Sequence, residues 1–145
     1  AYVDYAHTPE ALQAAVAALR PHVGANGRLI VVFGAGGDRD TGKRGPMGAI
    51  AAREADIAIV TDDNPRGEDP AHIRTAVLSG AEGAPNISEI AGRREAIAAA
   101  MQQAGKGDIV LIAGKGHEVG QTVAGVTHHF SDHEEVRAAL TEAAR

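Results

Sequence analysis

Three short runs in which every residue is apolar constrain this chain more than any other feature: residues 29–33 (LIVVF), 57–60 (IAIV) and 109–112 (IVLI). A strand with one face in water alternates apolar and polar side chains, whereas a strand apolar at every position must be covered on both faces. Between these runs the apolar residues fall at three- and four-residue spacing. Thr8 can cap a helix with Pro9 in its first turn, and Leu12, Val16 and Leu19 then share one face. Met47, Ile50 and Ala51 repeat that spacing. Asp69 and Pro70 open another helix, with Ile73, Ala76 and Val77 inward, and Ile97 and Met101 mark a fourth. A last helix carries Val136 and Leu140 behind a capping box of Ser131 and Glu134. Residues 86–90 (NISEI) read as a weaker strand, and GQTVAGVTHHF alternates around Gly125 as a hairpin.

Strands alternating with helices predict an α/β fold: a Rossmann-like open, mostly parallel sheet with helices on both faces and a C-terminal β-hairpin. At 145 residues this is one domain, spanning 1–145. With 30 alanines and 3% aromatic residues, its core must be aliphatic. The opening AYVDYAHTPE starts inside strand-like sequence, so we expect a domain cut from a longer chain. A net charge of -5 without a long basic cluster argues against nucleic acid and against a polybasic membrane anchor. Absence of cysteine excludes disulfides and thiolate metal sites, and no apolar run approaches the roughly 18 residues of a membrane span.

In open α/β sheets ligands bind beyond the carboxyl ends of the strands. Four loops should therefore share one rim: YAHTP, GAGGDRDTGKRG, TDDNPRGED and AGKGHEVG. The second loop fails two nucleotide patterns. A dinucleotide fingerprint from Gly34 needs glycine where Arg39 stands. A P-loop from Gly37 to Lys43 needs serine or threonine where Arg44 stands, and Asp38 and Asp40 would turn carboxylates towards phosphates. What remains is a loop presenting Arg39 to an anion, with Lys43 and Arg44 opening the next helix, or simply a solvated charged loop. In DDNPR, Pro65 restricts Asn64 and so holds Asn64 and Arg66 in a defined relation. Arg66 offers a planar fork to a carboxylate, while Asp63 and the Asn64 carbonyl can accept from an ammonium. That set matches the head of an amino acid, although a helix-capping turn with incidental charge explains the same residues. In AGKGHE, Gly114 and Gly116 let backbone approach a ligand, Glu118 suits an ammonium and Lys115 an anion. A zinc-protease motif at His117-Glu118 fails at Gln121, and His129 and His133 read as surface residues. His7 stands beside a helix N-terminus, where a phosphate or a plain capping role fits.

Taken together, VDYAHTPEAL, GAGGDRDTGKRGPMG, VTDDNPRGEDP and LIAGKGHE resemble the C-terminal domain of the Mur ligases, in the branch that extends the peptidoglycan stem peptide with its third residue. The resemblance runs from Val3 to about Leu140. It implies two further domains absent from this chain, an N-terminal one for the UDP sugar and a central ATPase domain that binds most of the ATP and Mg2+. It also implies a cytoplasmic bacterial enzyme that makes an amide through an acyl phosphate, joining meso-2,6-diaminopimelate to UDP-N-acetylmuramoyl-L-Ala-D-Glu. Carried over by motif, diaminopimelate contacts fall on Arg39, Asp63, Asn64, Arg66, Gly114 and Glu118, and Asp4 and His7 face the nucleotide. No catalytic residue and no metal ligand is expected within the chain, and the isolated domain is expected to be inactive. A lysine-adding relative, a non-catalytic amino-acid-binding module and a generic Rossmann dehydrogenase are the alternatives. Arg66 speaks against the first and the failed fingerprint against the last.

Overall fold

The helices begin where side chains can satisfy the free N–H groups of a first turn. Thr8 Oγ1 accepts from Ala11 N at 3.1 Å ahead of α1 (Pro9–Leu19), and the Asp69 carboxylate accepts from Ala71 N ahead of α3 (Pro70–Ser79). Ser131 Oγ accepts from Glu134 N at the start of α5 (Asp132–Ala143), while the Glu134 carboxylate turns instead to His129, so only half of the capping box forms. The computed structural model describes residues 1–143. In chain order the remaining elements are β1 (Tyr2–Asp4), β2 (Leu29–Phe33), α2 (Arg44–Glu54), β3 (Ile57–Val60), β4 (Ile87–Glu89), α4 (Arg93–Gln103), β5 (Ile109–Ala113), β6 (Gly120–Val123) and β7 (Val126–His129).

Five strands form one sheet in the order β1-β5-β2-β3-β4, and every pairing is parallel. The uninterrupted apolar runs become its centre: every residue of β2 and β5 is buried. Alternate side chains leave by opposite faces. Leu29, Val31 and Phe33 pack with Leu12, Val16, Met47, Ala51, Ile73 and Val77, which places α1, α2 and α3 on one face. Ile30 and Val32 pack with Ala96, Ile97, Ala100 and Val136, which places α4 and α5 on the other. Each of the larger side chains, from Val to Phe, contributes about 1.5–3 kcal/mol by leaving water, and the alanines less. The expected doubly covered parallel sheet is the fold observed. Leu140 departs from expectation: it is 52% exposed, and Phe130 and Val136 anchor the last helix instead.

The chain moves outward from β2 to β4, then returns through α4 to lay β5 between β1 and β2. Because every pairing is parallel, the loops after β1, β2, β3 and β5 leave from one end of the sheet, and the reversal opens a crevice among them. The hairpin β6–β7 is a separate two-stranded sheet, turned at Ala124-Gly125 with φ of 51° and 80°. A backbone bridge between Arg66 and Val123 is one of several ties that hold it to the body.

Candidate functional site

The loops after β2 and β3 are stitched together. Gly37 N donates to Asn64 O at 2.9 Å, Gly67 N to the Asp38 carboxylate at 2.9 Å, and Asp38 N to the Glu68 carboxylate at 3.1 Å. Gly37 permits this contact, because a Cβ there would lie 1.8 Å from Pro65 O. Arg44, 2% exposed, donates to both Glu68 oxygens at 2.7 and 2.8 Å and to Gly36 O. The Arg44 hydrogen bonds, helped by Asp38 N, hold the Glu68 carboxyl at about 2, and the same pairing raises Arg44 above its ordinary value. Arg44 is thus a strut of the rim, where the sequence suggested only a charged helix start.

Arg66 occupies the left-handed region at φ 55°, a conformation that costs a non-glycine residue of order 1–3 kcal/mol. Strand β6 holds it there: Arg66 N donates to Thr122 O at 2.6 Å, and Ala124 N donates to Arg66 O at 2.7 Å. The Arg66 guanidinium donates from Nη1 to Gly37 O at 2.8 Å and, at 3.5 Å, to Asn64 O, makes no ion pair among the described residues, and lines the cleft. Both Asn64 oxygens are already engaged: side-chain Oδ1 accepts from Thr122 N at 2.6 Å and the backbone oxygen accepts from Gly37 N, which leaves Oδ1 a single further lone pair for a ligand. Because Thr122 N can only donate, the Asn64 amide offers Nδ2 to the cleft as a donor suited to a carboxylate.

The loop after β5 supplies the opposite charge. Gly114 lies at φ 121°, and a Cβ there would fall 2.5 Å from Asp63 Oδ2, so its lack of a side chain makes room for that carboxylate. Asp63 is 6% exposed, yet its carboxylate accepts no hydrogen bond among the described residues. Glu118 is half-exposed beside it in the cleft lining. Lys115 is fully buried and donates to Gly120 O at 2.6 Å, with Glu118 Oε1 at 3.8 Å. Lys115, read from sequence as suited to an anion, thus ties Glu118 to the base of the hairpin. Below the rim, Arg93 makes two bonds to Asp132 at 2.7 and 2.8 Å and donates to Asp62 O and Ala113 O, joining the ends of β3 and β5 to α4 and α5.

These loops enclose a cleft of about 390 Å³ lined by Arg39, Asp63, Asn64, Arg66, Gly114 and Glu118, the six residues singled out from sequence. His7 joins them, its ring edge-on to Tyr5 with centroids 4.7 Å apart. Asp4 does not: it lies along a separate apolar depression between β1 and α1, with its backbone oxygen accepting from Gly114 N. Tyr5, Gly36 and Lys43 also line the cleft and escaped the sequence reading. Lys43 had been assigned to the helix start, and a lone tyrosine after a strand carries no pattern. His133 is half-buried and stacked on His117 at 5.1 Å, not the free surface residue expected, while His129 bonds Glu134 at 2.6 Å. Among the described residues, no three histidine, cysteine or carboxylate side chains group closely enough to hold a metal.

The residues after β2 do not fit a phosphate cradle with bound magnesium. The N–H groups of Gly37, Asp38 and Gly42 are spent on Asn64, Glu68 and Asp40, and Arg44 is committed to Glu68. The cleft instead offers guanidinium and amide donors facing two carboxylates, a charge pattern complementary to a zwitterion.

The cleft lies where open α/β sheets bind their ligands, in the crevice beyond the carboxyl ends of the strands. The chain belongs to the Mur ligase family, matching its glutamate ligase domain over residues 1–116. It is 62% identical over 140 residues to the UDP-N-acetylmuramoyl-L-alanyl-D-glutamate--2,6-diaminopimelate ligase of Caulobacter vibrioides, covering 97% of this chain and 28% of that protein. Identity is 58% over 149 residues to the protein of the same name from Corynebacterium glutamicum, covering 98% of this chain and again 28% of the relative. A solved structure of a ligase of that name superposes with a TM-score of 0.91 at 48% identity, over 99% of this chain and 29% of that one. E. coli FolC in complex with ADP, at 22% identity and a TM-score of 0.56 over 99% of this chain and 29% of that one, shares the fold. The chain thus spans little more than a quarter of the length of these relatives.

Proposed function

We propose that this chain is the amino-acid-delivering domain of an ATP-dependent ligase that adds meso-2,6-diaminopimelate to UDP-N-acetylmuramoyl-L-Ala-D-Glu in peptidoglycan synthesis. The observation that carries the reading is Asp63, a carboxylate 6% exposed without a hydrogen-bond donor of its own, set in one cleft with Arg66, Arg39 and Asn64. The charge of Arg93 reaches Asp63 from beneath, but Arg93 directs its N–H groups to Asp132, Asp62 O and Ala113 O, so the nearly buried Asp63 carboxylate still wants a donor. An ammonium between Asp63 and Glu118 supplies it, and the adjoining carboxylate meets Arg66, Arg39 and the Asn64 amide through charge-assisted bonds.

Diaminopimelate differs from lysine by one carboxylate at that end. Lysine would fill the acceptor half of the cleft and leave the arginines without a partner. Anchoring one end leaves the other amine free to attack the D-glutamate carboxyl group, which the rest of the ligase activates at the expense of ATP. A C–N bond forms, phosphate leaves with the carboxyl oxygen, and the nitrogen loses a proton. The groups that bind ATP and Mg2+ lie outside this chain, and the ligase works in the bacterial cytoplasm. No described helix is long and apolar enough to cross a membrane.

In the full-length ligase, phosphate release with ATP and the UDP-linked dipeptide should depend on meso-2,6-diaminopimelate. L-Lysine should be poorer by up to roughly 10⁴-fold, the scale at which a site built for a group rejects an analogue lacking it. The 145-residue chain alone should release none. Equal support by lysine would sink the reading.

A further inference from the structure

We infer that Lys43 is a second carboxylate-binding residue of the cleft, taking the carboxylate at the reacting end of the diamino acid. The inference rests on the proposed function and extends it to the half of the substrate that the DDNPR and AGKGHE loops leave unattended.

Charge balance is the first argument. The cleft holds three cations, Arg39, Lys43 and Arg66, and two carboxylates, Asp63 and Glu118. These five side chains sum to a net charge of +1. The reactive form of diaminopimelate carries two carboxylates but only one ammonium, because the attacking amine must be unprotonated, and its net charge is -1. Arg66, Arg39, Asp63 and Glu118 account for one complete zwitterionic end. One carboxylate of the ligand and one cation of the cleft remain, and that cation is Lys43.

Position and availability are the second. Lys43 and Arg44 are adjacent in sequence, yet Arg44 is committed to Glu68 and Gly36 while the Lys43 ammonium makes no hydrogen bond or ion pair among the described residues. Lys43 is half-buried, so its stem is already placed in the wall. Besides the cleft it lines a second depression, with Asp40 and Glu10, that neither arginine borders. A Cβ on Gly36 would lie 2.8 Å from Arg66 Nη1 and 3.9 Å from Arg39 Cγ, so these two converge there. Thr8 and Pro9, at the start of α1, line the same depression as Lys43. A ligand with two charged ends joined by methylenes can meet the arginines and Lys43 at once, and the reacting end falls to the Lys43 side.

The test is Lys43→Met in the full-length ligase, which keeps the stem and removes the charge. The KM for meso-2,6-diaminopimelate should rise about ten- to a hundredfold, the worth of one charged hydrogen bond, with turnover at saturation and the KM for ATP held within about threefold. L-Lysine, which keeps the reacting-end carboxylate and lacks the far one, assigns the contact when used as a weak substrate or inhibitor. The Lys43→Met loss should persist with lysine, whereas the loss caused by Arg66→Ala should vanish. An unchanged KM for diaminopimelate in a wild-type background that requires it overturns this inference alone. A rise confined to the KM for ATP overturns it by assigning Lys43 to a phosphate, and a loss that vanishes with lysine assigns Lys43 to the far carboxylate. A wild-type enzyme indifferent to diaminopimelate overturns the functional reading and this inference with it.

Discussion

Two pairs of arginines stand around the same rim and are put to opposite use. Arg44 and Arg93 are each 2% exposed and fork onto a carboxylate, Glu68 and Asp132 respectively. Arg39 and Arg66 line the cleft and bond only carbonyls, Asp38 O for Arg39 and Gly37 O and Asn64 O for Arg66. A buried guanidinium must have its charge answered inside the protein, so the first pair can shape the site but has nothing left to offer a ligand. The second pair keeps free donors, and its orientation is set through backbone. Strand β6 fixes Arg66 in its left-handed conformation, and the stitched loops set the base on which it rests. Binding capacity here follows from which guanidinium lacks a protein carboxylate.

Breaking the closed pair should have the largest effect. Asp132→Asn leaves Arg93 buried without its counter-charge and should cost about 3–5 kcal/mol of folding stability, read by chemical denaturation. A loss below about 1 kcal/mol would mean that Arg93 relaxes to water and that the distinction between the two pairs is overstated. Gly114→Ala comes next. A methyl 2.5 Å from the Asp63 carboxylate, on a backbone at φ 121°, should cost about 1–3 kcal/mol and weaken amino-acid binding in the full-length ligase. Unchanged binding would mean that Asp63 does not need the space Gly114 provides.

The smallest effect is a pH dependence. Arg44 and Asp38 N hold the folded Glu68 carboxyl at about 2, below its ordinary value of 4.5. A depressed carboxyl stabilises fully above its unfolded value, and that contribution is lost as pH falls towards the folded one. The thermal midpoint should therefore fall between about pH 4.5 and pH 2, and Glu68→Gln should flatten part of that fall. Asp108, also held at about 2 by Gly105 N and Arg28 at the opposite end of the sheet, accounts for another part. Identical pH profiles for wild type and Glu68→Gln would deny the Glu68–Arg44 tie its role.

Apolar patterning carries the fold because burial on two faces is a requirement on every residue of β2 and β5, so the runs announce themselves. Caps at Thr8 and Asp69 and the turn at Gly125 are equally local and equally legible. Strand order is not local: nothing in IVLI says that β5 inserts between β1 and β2. Side-chain commitments are still less visible. Arg39, Arg44, Arg66 and Arg93 look alike in sequence, and only tertiary packing supplies Glu68 and Asp132 to two of them. Lys115 and the Asn64 carbonyl show the same limit, since the hairpin brings them Gly120 O and Thr122 N as partners that the sequence does not announce. The motif resemblance brought the six cleft residues together in advance, while Tyr5 and Lys43 needed coordinates.

The central claim is that the open arginines select an amino acid by its second carboxylate. Its most direct test is the ratio of kcat/KM for meso-2,6-diaminopimelate over L-lysine, measured in the full-length ligase with wild-type Arg66 and with Arg66→Ala. The account predicts a collapse of that ratio by about a hundredfold or more, driven by the loss with diaminopimelate while the value for lysine barely moves. A ratio that survives the substitution, with both substrates losing equally, would show that Arg66 supports the loop and leaves selection to other residues.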